Sequence, residues 1–297
     1  MKWKLITTGV LAAALLLFFS KDIGHLFASE AGRERSNNAL HVKEDKNKKI
    51  DAAADVTIVQ QWNLPDELRE VSGIAWIAAN RFACVQDEDG FIFIYNTAAA
   101  TVEKKIPFAG PGDYEGITLA GNTAYVVRSD GRLYEVANYN SAQPKVTEYK
   151  TPLSADHNIE GLTFDRNNNR LLLAPKDKDP SGNKDGKGVY AFDLATKGLA
   201  AKPVLVIPNG GGKKGKGIRP AALGIHPKTG HYYVVDGPKS RLVIVDGSGK
   251  LVADQDLGSK FAQPEGITFD PSGRVFISNE RGKGSPANIM EVAISKN

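Results

Sequence analysis

One short motif recurs five times along this chain, and its spacing constrains the fold more than any other feature of the sequence. It reads Glu70-Val71-Ser72-Gly73-Ile74-Ala75-Trp76, then Asp113-Tyr114-Glu115-Gly116-Ile117-Thr118-Leu119, then Asn158-Ile159-Glu160-Gly161-Leu162-Thr163-Phe164. A degenerate copy, Arg219-Pro220-Ala221-Ala222-Leu223-Gly224-Ile225, precedes the last, Gln263-Pro264-Glu265-Gly266-Ile267-Thr268-Phe269. Between Gly73, Gly116, Gly161, Ala222 and Gly266 the intervals are 43, 45, 61 and 44 residues. A period near 44 is the length of a four-stranded propeller blade. The long interval contains residues 209–217, Asn-Gly-Gly-Gly-Lys-Lys-Gly-Lys-Gly, which reads as an inserted flexible loop.

The residues between motifs fit blades. After each motif comes a short β-rich run, at 82–85, 124–127, 171–174, 232–235 and 275–278. Turn residues follow, then a second run at 91–95, 133–136, 189–192, 242–245 and 289–292. A third, more polar run comes next in several repeats, at 102–107, 146–149 and 205–208. Short, evenly spaced strands separated by Gly, Pro, Asn and Asp predict an all-β domain, and the 30 glycines and 15 prolines suit its many turns. No stretch after residue 55 keeps a helical period. The last repeat ends at its third strand, whereas residues 56–62 form a strand with no motif of their own. Pairing the two supplies the missing outer strand and removes an open edge. The expectation is a five-bladed β-propeller over residues 55–297 closed by its N-terminal strand, with six blades as the alternative if the 61-residue interval hides a degenerate one.

The chain before the repeats has a different character. Lys2 and Lys4 precede an apolar run over residues 5–19, followed by a polar exit, the layout of a secretory signal. The run is short for a spanning helix. Ser29-Glu30-Ala31 is a small-x-small site, but it lies far beyond the run, and the reading leans toward an uncleaved anchor over residues 1–30. Either reading sends the remainder across the membrane and makes the domain extracytoplasmic, periplasmic or at the cell surface. Residues 31–54, rich in Asn, Lys, Glu and Asp, read as a disordered tether.

The repeats resemble those of the SdiA-regulated family of bacterial extracytoplasmic β-propellers. Gln263-Pro264-Glu265-Gly266-Ile267 followed by Val275-Phe276-Ile277-Ser278-Asn279-Glu280 carries the likeness best. Glu160-Gly161-Leu162 followed by Leu172-Leu173-Ala174-Pro175-Lys176-Asp177-Lys178-Asp179-Pro180 is next. The resemblance spans roughly residues 56–297, and the fourth repeat departs from it where Ala221 and Ala222 replace the acidic residue and glycine. It implies regulation, in some members, by a quorum-sensing-type transcription factor. It implies no activity and brings no catalytic residues.

Equivalent repeat positions form rings about a propeller axis. Glu115, Glu160 and Glu265 are therefore expected at one end of the channel, with Ser72 and Ala221 completing the ring. Three carboxylates about 7 Å apart repel by roughly 2–3 kcal/mol per pair at an effective dielectric near 20. A hard cation such as Ca²⁺ would offset this, as would nearby bases, raised carboxyl pKa values, or backbone N–H donors that make each glutamate a staple. The exits of the second strands place Arg128, Lys176, Asp236 and Glu280 at the same end, a mixed-charge mouth suited to a polar ligand. Residues 177–186 are oxygen-rich but lack the ordered spacing and terminal Glu of an EF-hand.

Other classes find little support. The single Cys84 permits neither an internal disulfide nor a thiolate zinc site, and sits in a strand-like run as a small apolar residue. The five histidines form no HExxH pattern. The glycine-rich loop lacks the context of a P-loop. A net charge of +4, with much of the excess in residues 43–49 and 213–216, presents no nucleic-acid module. Two functions stand: an extracytoplasmic module binding a small polar ligand or a protein, and a metal-dependent hydrolase of phosphoesterase or lactonase type built on the acidic ring.

Overall fold

The structure, a computed structural model, describes residues 56–210, 217–282 and 284–294. Among these no α-helix occurs, and the strands fall into five antiparallel sheets. A first strand, β1 (Val56–Asn63), stands apart from the repeats in sequence. Blade 1 comprises β2 (Val71–Ala78), β3 (Arg81–Gln86), β4 (Phe91–Asn96) and β5 (Thr101–Pro107). Blade 2 comprises β6 (Tyr114–Ala120), β7 (Thr123–Arg128), β8 (Leu133–Ala137) and β9 (Lys145–Tyr149). Blade 3 runs β10 (Ile159–Asp165), β11 (Arg170–Pro175) and β12 (Gly186–Asp193), and its outer strand is split into β13 (Gly198–Leu199) and β14 (Leu205–Pro208), both on β12. Blade 4 comprises β15 (Pro220–Ile225), β16 (Tyr232–Asp236), β17 (Arg241–Val245) and β18 (Leu251–Asp256). Blade 5 comprises β19 (Pro264–Phe269), β20 (Val275–Asn279), β21 (Asn288–Ile294) and, outermost, β1.

The expected closure is present. β1 pairs antiparallel with β21 from Val56–Ile294 to Asn63–Asn288. Tyr95 Oη donates to the Asn63 carbonyl at 3.0 Å, tying the closing strand to blade 1 as well. The long interval hides no sixth blade. It is taken up by the loop between β11 and β12, by the split outer strand, and by the connection into β15.

Each blade turns first at a residue with positive φ: Asn80, Gly121, Asn169, Gly230 and Gly273. Such turns match the twist of paired strands, and Gly and Asn enter that region most readily. The core is five separate cores, one between each pair of neighbouring blades. Ile92, Ile94 and Ile106 of blade 1 pack on Ile117, Val126 and Tyr134 of blade 2. The series continues round to Phe276 and Ile289 of blade 5 against Phe82, Phe93 and Tyr95 of blade 1. The innermost strands touch in cyclic order, β2 to β6, β10, β15, β19 and back to β2. Hydroxyl groups staple them: Thr118 Oγ1 accepts from Phe164 N–H at 3.1 Å, and Thr268 Oγ1 accepts from Trp76 N–H at 3.0 Å. The motif glycines make the approach possible. A Cβ on Gly116 would lie 2.8 Å from the Glu160 carbonyl oxygen, and one on Gly266 would lie 2.6 Å from that of Ser72.

Candidate functional site

The acidic end of the channel is created by a bulge repeated in every blade. Pairing between the first two strands slips between Tyr114 and Gly116, Ile159 and Gly161, Pro220 and Ala222, and Pro264 and Gly266. The slip in blade 1 lies between Val71 and Ile74. The unpaired residue is Glu115, Glu160, Ala221 or Glu265. A bulge breaks the two-residue alternation and re-aims one side chain. Here it lets Ile159 enter the core while the adjacent Glu160 lines the channel. All three glutamates line it together, as expected. The space the glutamates line together with Ile74, Ile117, Leu162, Leu223 and Ile267 is only about 10 Å³, barely room for one water. The opposite end opens into a separate funnel of about 700 Å³ with Trp76, Phe164, Phe269 and His226 in its wall.

Lys176 provides the ring's counter-charge. Its Nζ lies 2.7 Å from Glu160 Oε2 and 3.6 Å from Glu265 Oε2. Asn158 Nδ2 donates to the other Glu160 oxygen at 2.8 Å. Burial pushes the Glu160 carboxyl up to about 8, with Lys176 pulling against the rise and Glu265 adding to it. Burial, the neighbouring Glu160 and a hydrogen bond with Asp113 push Glu115 up to about 10. Burial also raises Glu265, again opposed by Lys176. On Lys176 burial acts downward, but the surrounding carboxylates outweigh it and the ammonium is raised. The described contacts of the glutamates are thus with side chains, Lys176, Asn158 and Asp113.

Of the four residues expected at the strand exits, the structure brings two to the channel. β-pairing explains the division. Arg128 pairs across from Tyr114, and Asp236 from Pro220, so both sit inside the ladder. Lys176 and Glu280 each follow the last paired residue of their strand, Pro175 or Asn279. The positions equivalent to these two are Asp87, Ser129 and Gly237, one residue beyond Gln86, Arg128 and Asp236. That one-residue offset reverses the face. Arg128 bonds Asp130 through Nε at 3.0 Å and lines a groove with Phe108, Tyr114 and Tyr134, away from the ring. Asp236 is fully buried and accepts from Arg241 Nη2 at 3.1 Å, with Lys239 Nζ at 3.2 Å. Glu280 does join the acidic end: burial, a hydrogen bond with Glu70 and the charges of Glu70 and Glu265 push it up to about 8. Burial, then Glu70 and Asp113, raise Asp87 too.

A further ring was missed by sequence reasoning although its signal is in the motif. Two residues before each bulge stand Glu70, Asp113, Asn158, Arg219 and Gln263, all polar. Asp113 bonds Glu115, Asn158 bonds Glu160, and Gln263 Nε2 donates to Glu280 Oε2 at 3.0 Å. Three stacked rings therefore carry seven carboxyl groups, on Glu70, Asp87, Asp113, Glu115, Glu160, Glu265 and Glu280, against two ring cations, Lys176 and Arg219, with Arg69 Nε a third cation 3.4 Å from Glu70.

The remaining expectations resolve as follows. Among the described residues no group of three or more His, Cys, Asp or Glu side chains is arranged to hold a metal ion. In the oxygen-rich loop, Asp179 is buried, and accepts from Ser181 N and Oγ and from Tyr190 Oη at 2.6–2.8 Å, so its carboxylate closes the loop on β12. Cys84 is fully buried and its thiol is pushed far up by burial, which leaves it unreactive. The signal or anchor segment, the tether and most of the glycine-rich loop lie outside the described residues; among the described ones no helix is long and apolar enough to cross a membrane.

Five closed blades around a polar, ring-built channel end define a five-bladed β-propeller. The SdiA-regulated family profile matches residues 54–283, and the chain belongs to that family. No curated protein sequence matches it. Among solved structures, glutaminyl cyclase from Myxococcus xanthus superposes with a TM-score of 0.56 at 16% identity, over 81% of this chain and 96% of that one. The PQQ-bound aldose sugar dehydrogenase from Streptomyces coelicolor gives 0.51 at 13% identity, over 82% and 98%. A chain of a mitotic checkpoint complex gives 0.51 at 10%, over 92% and 99%. These likenesses share the propeller fold, and a fold carries many functions.

Proposed function

We propose that the protein is an extracytoplasmic binding module that takes a small polar ligand bearing a positive group at the acidic end of its channel. The observation behind this reading is the imbalance of seven carboxyl groups against three cations, Lys176, Arg219 and Arg69, which adds to burial in raising the pKa of Glu115, Glu160 and Glu280. A cationic guest replaces protons on these carboxyl groups and gains charge-assisted hydrogen bonds from preplaced carboxylates. The five aliphatic side chains close the channel behind the glutamates and leave room for about one water, so the ring takes the cationic head alone and the rest of the guest stays at the mouth of a closed cup.

Calcium competes poorly with this arrangement, because the Lys176 ammonium already stands between Glu160 and Glu265 and a divalent ion there would have to displace it. The metal-dependent hydrolase reading rests on that displacement.

Calorimetric titration with a short aliphatic diamine tests the reading. Saturable binding with proton release at neutral pH, lost in Glu115→Gln, supports it; no heat in the wild type removes it. The extracytoplasmic assignment rests on the Lys-flanked apolar run at residues 5–19. An export-dependent reporter fused after Asn297 should be active, and activity of a cytoplasm-only reporter would reverse the assignment.

A further inference from the structure

Beside the acidic cup lies a groove of opposite sign. It has a volume of about 460 Å³ and is lined by Lys176, Lys187, Arg219 and Lys239, with Asp177 its one carboxylate and Ile218 its apolar wall. Three of the four cations are already engaged. Lys176 holds Glu160, Arg219 holds Asp177, and Lys239 Nζ reaches the Gly217 carbonyl at 2.7 Å and buried Asp236 at 3.2 Å. Asp177 is shared further, accepting from Asn158 Nδ2 at 3.2 Å. Lys187 has no ion pair or side-chain hydrogen bond among the described residues, yet it is half-buried in the groove wall. Burial pulls its ammonium below the usual lysine value, with Asp179 and Asp177 only partly compensating. Removing a lysine from water without a partner is unfavourable, and the position is explained if a ligand supplies the missing negative charge.

We propose that this groove is an oxyanion subsite that takes the phosphate or phosphomonoester group of a soluble ligand, with Lys187 as its free donor and Arg219 and Lys176 at its border with the cup. A guanidinium and several ammonium groups around one concave space suit a compact anion with several acceptor oxygens. The inference stands on the groove alone and does not require the cationic ligand of the acidic cup.

The test is calorimetric titration of the intact protein with inorganic phosphate and with pyrophosphate. Saturable binding is expected, tighter for pyrophosphate. Lys187→Ala removes no ion pair or side-chain hydrogen bond among the described residues and should weaken pyrophosphate binding by about tenfold or more, the loss expected for one charge-assisted hydrogen bond. Lys178→Ala, at an exposed lysine outside the groove, should change nothing. Glu115→Gln should abolish diamine binding while pyrophosphate still saturates the protein, so that the two sites fail separately. No saturation by either anion below about 10 mM, or equal affinity in Lys187→Ala and wild type, would overturn the subsite.

Discussion

Burial and neighbouring carboxylates raise the pKa of single carboxyl groups in the channel ring. Glu160 and Glu280 are pushed up to about 8 and Glu115 to about 10, from 4.5. Between the unfolded and folded values the native state binds more protons than the unfolded chain, so stability falls as pH rises. The contribution is fully present below about pH 4.5 and is lost through pH 8 and on toward 10. Thermal unfolding should therefore show a melting temperature that declines from pH 5 to pH 9. Glu115→Gln, which is permanently neutral, should flatten that decline and exceed the wild type at pH 9 by about 1 kcal/mol or more. A profile that rises across this range would contradict the assignment. Lys176 leads to a second expectation. Because it supplies the counter-charge, chelation with EDTA should leave the melting temperature unchanged; a saturated metal site would instead lose about 2.7 kcal/mol. Which glutamates converge was legible from the repeat, since equal repeat positions share a ring. Their partners were not. Arg128 and Asp236 differ from ring positions by one residue, and along a strand one residue is the difference between two faces.

At the scale of the strand, the repeated bulge is the working part. An apolar residue, a polar one and a glycine in sequence do not alternate as a strand facing one core should. The bulge resolves the conflict by sending the apolar residue into the blade interface and the glutamate into the channel. The glycine that follows is fixed by the innermost strand of the next blade. A Cβ at Gly116 would meet Leu162 Cβ at 2.7 Å as well as the Glu160 carbonyl. Gly116→Ala should therefore lower stability by about 1–3 kcal/mol, the usual cost of overpacking, and should disturb the placement of Glu160. Denaturant unfolding of this variant measures the first effect, and diamine titration the second. The motif announced the strand and its glycine, but pairing register is a relation between two strands and is written in neither alone.

For the whole molecule, the ring is as strong as its seam. β1 covers the edge of β21, and Trp62 packs against Phe82 and Phe276 at ring-centroid distances of 6.4 and 6.3 Å, across the junction of blades 5 and 1. Removing residues 1–63 should leave an open strand edge and an uncovered aromatic cluster. Size-exclusion chromatography of that truncation should show aggregate in place of a monomer peak, whereas a truncation ending at residue 54 should remain monomeric. The sequence by itself determined the four-stranded repeat, the order of strands and the seam, because a propeller is a one-dimensional array in which each repeat states its own pattern and the unpaired first strand can only pair at the end; it left five blades against six for the structure to decide. It also determined that three glutamates meet, because rotation carries equivalent positions to one place. The tertiary structure decided what surrounds them. Lys176 between two carboxylates, the outer polar ring, the aliphatic plug and the neighbouring basic groove all depend on side chains from different blades being brought together. Their distances are set by strand register and blade packing, quantities that no single repeat contains.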